Sequence, residues 1–225
     1  MKGPETPAGR RAIELFDTAP RADRFHVRAR WWSCPFPEIQ RRVPVVGRIL
    51  EVGCGHGLLS SYLALSAPGR EVEGVDIDEH KIALAQAAAA RLAPGEARVS
   101  FAAIEPGDLP DGPFDAIVVN DVLYLMPEAL RRDVLGACVA RLGPAGVVVI
   151  KEIDVAPRWK YEVNRLQEIV ATKVLRYTEG DHVEVVPMQH FADQLRELGL
   201  EPTIESIDRW YPHAHAILTA RRPPP

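Results

Sequence analysis

Cysteine is scarce. Only Cys34, Cys54 and Cys138 occur in 225 residues, with no C-x-x-C pair among them. That excludes a disulfide framework and suits a reducing, cytoplasmic compartment. Long apolar runs are missing as well: none approaches the roughly 18 residues that span a bilayer, so nothing reads as transmembrane, and only peripheral membrane contact stays open. The first residues are polar and proline-rich rather than the apolar core of a secretory signal, and Glu5 and Glu14 argue against a transit peptide. An overall basic charge is also lacking. At net −4 the chain gives no general reason to expect a nucleic-acid partner. No internal repeat of useful length is visible.

What is present is a globular composition, 47% hydrophobic and 26% charged, at a length whose natural prior is one domain with a real core. The charge is unevenly spread. Residues 1–48 hold ten basic against five acidic side chains; the remainder holds 17 against 26.

One stretch organises the rest. Arg48-Ile49-Leu50-Glu51-Val52 reads as a short buried strand, Gly53, Gly55 and Gly57 alternate after it, and Leu58 onward continues at helical spacing. A strand, a glycine turn and a helix start let backbone approach a ligand closely, with free N–H groups facing it. Leu58 breaks the dinucleotide pattern G-x-G-x-x-G, and no lysine follows Gly57 as a phosphate loop requires. A second strand, Glu71 to Asp78, ends in acids. Asp76 stands 19 residues after Gly57, near the offset at which a carboxylate accepts ribose hydroxyl protons, and Asp78 suits a helix cap. Further strands are expected at 98–103, at Phe114-Asp115-Ala116-Ile117-Val118-Val119, where polar Asn120 and Asp121 follow, and at 146–154. Helices are expected at 79–92, from Pro127 to about 142, and at 188–198. Strands 201–208 and 214–221 close the chain as an antiparallel pair.

The E-x-G-x-G-x-G phrase, Asp76 at its offset and the Phe-Asp-Ala-Ile-Val strand together resemble the class I S-adenosylmethionine (SAM)-dependent methyltransferases, over about residues 48–154. The resemblance implies a three-layer αβα Rossmann-like fold with a mostly parallel seven-stranded sheet ending in that antiparallel hairpin. It implies a SAM site, with S-adenosylhomocysteine as product, built from Glu51, Gly53, Cys54, Gly55, Gly57, Asp76, Ile77, Ile104, Glu105 and Asn120. Glu51 would lie near the amino group, Asp76 on the ribose, Ile104 against adenine and Glu105 near its amino group. The family more often has Asp where Glu105 stands, and Pro106 is unusual there.

Residues 1–47 are expected to form an N-terminal segment, with 1–10 a disordered lead-in. A helical pattern follows from Ala12 to about Trp32, broken at Pro20. It is either a strap packed over the core or a lid whose arginines attract an anionic group. Residues 48–225 would form the SAM-binding domain, with a helical insertion at about 157–182. Acceptor-facing candidates are Arg28, Trp32, Tyr124 and Tyr177. Candidates for a general base are Tyr124, Glu152 and His182, with Asp121 also conceivable; nothing in the sequence chooses among them, so the catalytic residue is unknown at this stage. His213 and His215 share a strand face without a third ligand, so no metal site is assigned. The Asp/Asn-Pro-Pro-Tyr motif of base and glutamine N-methyltransferases is absent. The expected acceptor is therefore a small or lipid-like molecule methylated on oxygen or carbon. An RNA or protein methyltransferase using the basic N-terminal segment, or a SAM-binding module without catalysis, are the alternatives. The sequence leaves the oligomeric state open.

Overall fold

A computed structural model describes residues 4–153, 186–207 and 215–224. Its centre is a seven-stranded sheet in the order β3-β2-β1-β4-β5-β7-β6. The strands are β1 (Val46–Val52), β2 (Gly69–Asp76), β3 (Arg98–Ala103), β4 (Phe114–Asn120), β5 (Leu142–Ile153), β6 (Glu201–Ser206) and β7 (His215–Arg221). The first five run parallel, and β7 lies antiparallel between β5 and β6. The expected fold class and hairpin are therefore present. The apolar runs of β4 and β5 occupy the middle, where both faces are covered.

Alternation along the strands sorts side chains into two cores. Leu50, Ile117, Val148 and Ile150 face α6 (Glu128–Arg141) and α7 (Met188–Glu197). Ile49, Val118, Val147 and Val149 face α4 (Leu58–Ser66) and the N-terminal helices α1 (Pro7–Glu14), α2 (Arg21–Ser33) and α3 (Phe36–Gln40). Helix α5 (Glu79–Ala89) sets Ile82 and Ala85 against Phe101. Its N-cap is Asp78, whose carboxylate accepts the Lys81 N–H at 3.0 Å.

The lead-in is more ordered than its composition suggests. Helix α1 begins at Pro7, capped by the Thr6 hydroxyl, which accepts the Gly9 N–H at 3.1 Å. Arg11 anchors it to Glu96 at 2.6 Å. Ala12, Leu15 and Phe16 of this region, with Val27, Phe36 and Ile39, are buried in the second core. Arg70 adds a further tie. Fully buried, it donates to the carbonyls of Gln40, Val43, Pro44 and Leu63, joining the end of α3 to α4 and β2. Trp31 packs edge-on against Tyr62, with ring centroids 5.0 Å apart. Among the described residues no helix is long and apolar enough to cross a membrane. The helical insertion expected at about 157–182, with Tyr177 and His182, and also Asp154 and His213 lie outside the described residues.

Candidate active site

The strand order reverses between β1 and β4, and a crevice opens at their carboxyl ends, as it does in open α/β sheets. Helix α2 walls it, leaving a cavity of about 780 Å³. Among the residues lining it are Glu51, Gly53, Cys54, Gly55, Asp76, Ile77, Ile104 and Asn120, eight of the ten cofactor positions expected from the sequence. Gly57 stands just behind the loop, and Glu105 is exposed and off the cavity, between the lining residues Ile104 and Pro106.

The glycine turn has two different requirements. Gly57 adopts φ +74°, and a Cβ there would meet the Phe101 ring at 2.5 Å and the Ala85 methyl at 2.9 Å. Its job is packing. Gly55 adopts φ +52°, and a Cβ there would find only the end of Lys81, 4.0 Å away, so it presents bare backbone to the cavity. Asp76 fixes this backbone. One carboxylate oxygen accepts the Gly55 N–H at 2.7 Å and the other the Asp78 N–H at 3.0 Å. A carboxylate has about four acceptor positions, so two remain for a ligand.

Glu51, Asn120 and Lys151 stand on the same face of β1, β4 and β5 as the N-terminal helices, and all three are buried. Glu51 accepts the Ser60 hydroxyl, and burial pushes its carboxyl up to about 8. The Asn120 side chain accepts the Cys34 thiol at 3.3 Å. Next to them Asp121 adopts φ +55°, in the left-handed region that disfavours side-chain-bearing residues. Its carboxylate lies 2.6 Å from Lys151 Nζ and 2.9 Å from Arg30 Nη1. Burial alone would raise the Asp121 pKa; the two cations outweigh it and hold the carboxylate well below its ordinary range. The trio of Lys151, Arg30 and Asp121 carries one positive charge in excess.

Glu152 points the other way. Its Oε1 accepts the N–H groups of Val122 and Leu123 at 3.1 and 2.8 Å, while Oε2 is buried without a hydrogen-bond partner among the described residues. Burial, then repulsion by Asp121, pushes it up to about 8. It braces the turn after β4 from behind and does not line the cavity. Tyr124 lies in the 3₁₀ turn Leu123–Leu125, off the lining but within electrostatic reach of Arg30.

Arg28 and Trp32 lie on the outer face of α2. Arg28 pairs loosely with Asp17 at 3.7 Å, and neither residue lines the cavity. The inner face instead supplies Asp23, His26, Val27 and Arg30. Asp23 reaches His56 of the glycine turn at 3.2 Å, and the His26 and His56 rings lie 4.7 Å apart. Burial, then His56, pushes His26 down to about 4. The sequence reading missed these residues, although they are legible on a helical wheel: Arg30 is two positions from Arg28, about 200° around the helix. Behind the site, His215 of β7 contacts the Ser33 carbonyl at 2.8 Å and ties the sheet to α2.

Residues 49–146 match a family model described as a methyltransferase domain. The ubiquinone biosynthesis O-methyltransferase of Bordetella bronchiseptica is 29% identical over 161 residues, covering 69% of this chain and 63% of that protein. The trans-aconitate 2-methyltransferase of Streptomyces avermitilis is 30% identical over 145 residues, covering 56% and 53%. The chain spans between 31% and 63% of the length of the curated relatives it matches. Among solved structures, the magnesium protoporphyrin IX methyltransferase of Synechocystis, with bound S-adenosylhomocysteine, superposes with a TM-score of 0.67 at 19% identity, over 95% of this chain and 94% of that one.

Proposed function

We propose, on the premise that the chain belongs to the class I S-adenosylmethionine-dependent methyltransferases, that it transfers a methyl group from SAM to a small-molecule or lipid-like acceptor, on oxygen or carbon. The observation that carries this reading is the pairing of Asp76 with the bare backbone of Gly55 at the strand-order reversal.

The residues present fit the cofactor. Asp76 retains acceptor capacity for two ribose hydroxyls. Ile77 and Ile104 offer apolar surface to adenine, and the Gly55 backbone leaves room for the sulfur-bearing chain. Glu51 is suited to the amino group: a cation arriving beside it offsets the burial that keeps it protonated. The excess positive charge at Arg30 suits the carboxylate of the same amino-acid head. When bound, the cofactor supplies an activated methyl group on a sulfonium. What remains for the protein is alignment of an acceptor in line with that group and exclusion of water. Val122, Leu125, Met126 and Leu130 give the cavity an apolar wall against which such an acceptor can lie. Asp121 is too firmly held by Lys151 and Arg30 to take a proton at neutral pH. Glu152 acts through the 121–123 turn that it braces, as a positioning residue. Tyr124 stays an acceptor-side candidate, in the turn between the lining residues Val122 and Leu125. Three buried, unpaired cysteines are consistent with a cytoplasmic location.

Two names among the relatives support a small acceptor: ubiquinone biosynthesis and trans-aconitate. Calorimetric titration with S-adenosylhomocysteine tests the reading, with NAD as control. Asp76→Ala should weaken binding by roughly tenfold to a hundredfold, the equivalent of about 1–3 kcal/mol for a lost charge-assisted hydrogen bond. Labelled methyl from SAM should then appear in an acceptor fraction. Folded wild-type protein that binds neither SAM nor S-adenosylhomocysteine would sink the proposal.

A further inference from the structure

Helix α2 has two working faces. The inner one lines the cavity; the outer one carries Arg21, Phe25, Arg28 and Trp32 at gaps of four, three and four, a single stripe at helical spacing, with Arg24 beside it. Phe25 is 72% exposed and Trp32 46% exposed. They are the two aromatics among the large apolar side chains that stand exposed in the described residues. The neighbouring Trp31 shows the alternative, turned inward onto Tyr62 and Phe36. Nothing in helix propensity asks for an exposed phenylalanine and tryptophan amid arginines on a chain of net charge −4. Asp17 offsets one of the three arginine charges, through its contact with Arg28 at 3.7 Å, while its carbonyl accepts Arg24 at 3.1 Å.

We infer that the outer face of α2 docks the protein on an anionic bilayer surface. Basic residues interleaved with Phe and Trp on one helix face are the chemistry of interfacial binding: aromatic rings enter the headgroup region, and arginines pair with lipid phosphates. Charge complementarity selects the occupant, since the stripe is a basic patch on an otherwise acidic chain. A single-stranded RNA would also meet arginine and aromatic side chains, but it needs a basic groove that tracks its backbone. Phe25 stands on the crest of a helix, and beyond residue 48 acids outnumber bases. Seated this way, α2 would bring the wall of the cavity to the lipid surface. Only the link to a lipid-like acceptor rests on the proposed methyl transfer: the cavity would then lie about one helix diameter, ~10 Å, from the lipid surface.

Vesicle flotation of the full chain tests the docking, using phosphatidylglycerol–phosphatidylcholine vesicles against phosphatidylcholine alone. Wild type should bind the anionic vesicles at least about tenfold more tightly than the neutral ones. Phe25→Ser should cost roughly tenfold in vesicle affinity, and Arg21→Gln with Arg24→Gln should remove most of the preference for anionic lipid. Neither variant should change affinity for S-adenosylhomocysteine, which also reports that each is folded. The inference is overturned if wild type shows no preference for anionic vesicles, or if Phe25→Ser binds them as wild type does. It is equally overturned if a uridine-rich RNA binds through these residues while vesicles do not. Loss of S-adenosylhomocysteine binding in wild type, with vesicle binding intact, would overturn the cofactor reading and leave the docking surface standing.

Discussion

Lys151 and Glu152 are neighbours in sequence and act on opposite sides of the sheet. Lys151 neutralises Asp121 beside the cavity, and Glu152 braces the 122–123 backbone from the other layer. Burial makes Glu152 a liability that depends on pH. The folded protein keeps a proton on this carboxyl up to about 8, while the unfolded chain releases it near the ordinary value of 4.5. Its contribution to stability is therefore fully present below 4.5, declines as pH rises towards 8 and is level beyond. Glu51 behaves in the same way, and His26, pushed down to about 4, tilts the curve in the opposite direction only below its ordinary value of 6.5. Between pH 6.5 and 8 the two glutamates thus dominate. Denaturant midpoints should fall across that window in wild type, each glutamate accounting for about 1–2 kcal/mol. Glu152→Gln should remove about half of that decline, because the amide oxygen still accepts the two N–H groups and no charge is forced into the interior. An undiminished slope in the variant would show that Glu152 is ionised in the fold. The sequence offered Glu152 as a candidate base near the end of the strand expected at 146–154. It did not say which layer the residue faces, because that depends on which helices cover each side.

At the scale of elements, the glycine turn separates packing from access. Ala at position 57 must accept φ +74° and displace the Phe101 ring; Ala at 55 must accept φ +52° alone. Gly57→Ala should therefore cost about 1–3 kcal/mol more stability than Gly55→Ala. Gly55→Ala should lose more affinity for S-adenosylhomocysteine, since its methyl group projects toward the cavity. Thermal melts with and without the ligand check both halves, and an equal drop in melting temperature for the two variants would contradict the division. These elements were legible because strand, turn and helix each leave a local mark: an apolar run, alternating glycines, and leucines at helical gaps. The helix α1 was not. Its lead-in of Gly, Pro and Thr reads as disorder, and the order comes from contacts far away in sequence, with Arg11 on Glu96 and Ala12 and Leu15 in the core. The cavity-lining face of α2 lay between the two. Its helical period was visible, but the two residues taken from it as acceptor-facing, Arg28 and Trp32, stand on the side turned away from the cavity.

For the molecule as a whole, all three thiols are buried: Cys138 and Cys34 in the two main cores, and Cys54 in the small cluster with Ile82, Ala85 and Phe101 at the cavity wall. Burial raises Cys34 to about 11 and Cys138 to about 12, and pushes Cys54 above the ordinary range as well. A thiol-exchange reagent at pH 8 should find no fast-reacting cysteine in the native protein and three after denaturation. A rapid single-thiol phase in the native protein would show that the cavity beside Cys54 opens more widely than the structure implies. The seven-stranded sheet with its closing antiparallel hairpin was expected from the resemblance to a family; its strand order was not, because spacing alone cannot place β7 between β5 and β6. That insertion governs the order of assembly as the polypeptide leaves the ribosome. Strand β6 is made first, yet its sheet partner is β7, and β7 in turn joins it to β5. Until residues 215–221 have been translated, β6 has no template on which to lie and β5 keeps one edge bare. The fold is thus closed by a strand that arrives late and goes to the inside, and a nascent chain stalled before it would be the form most in need of a chaperone.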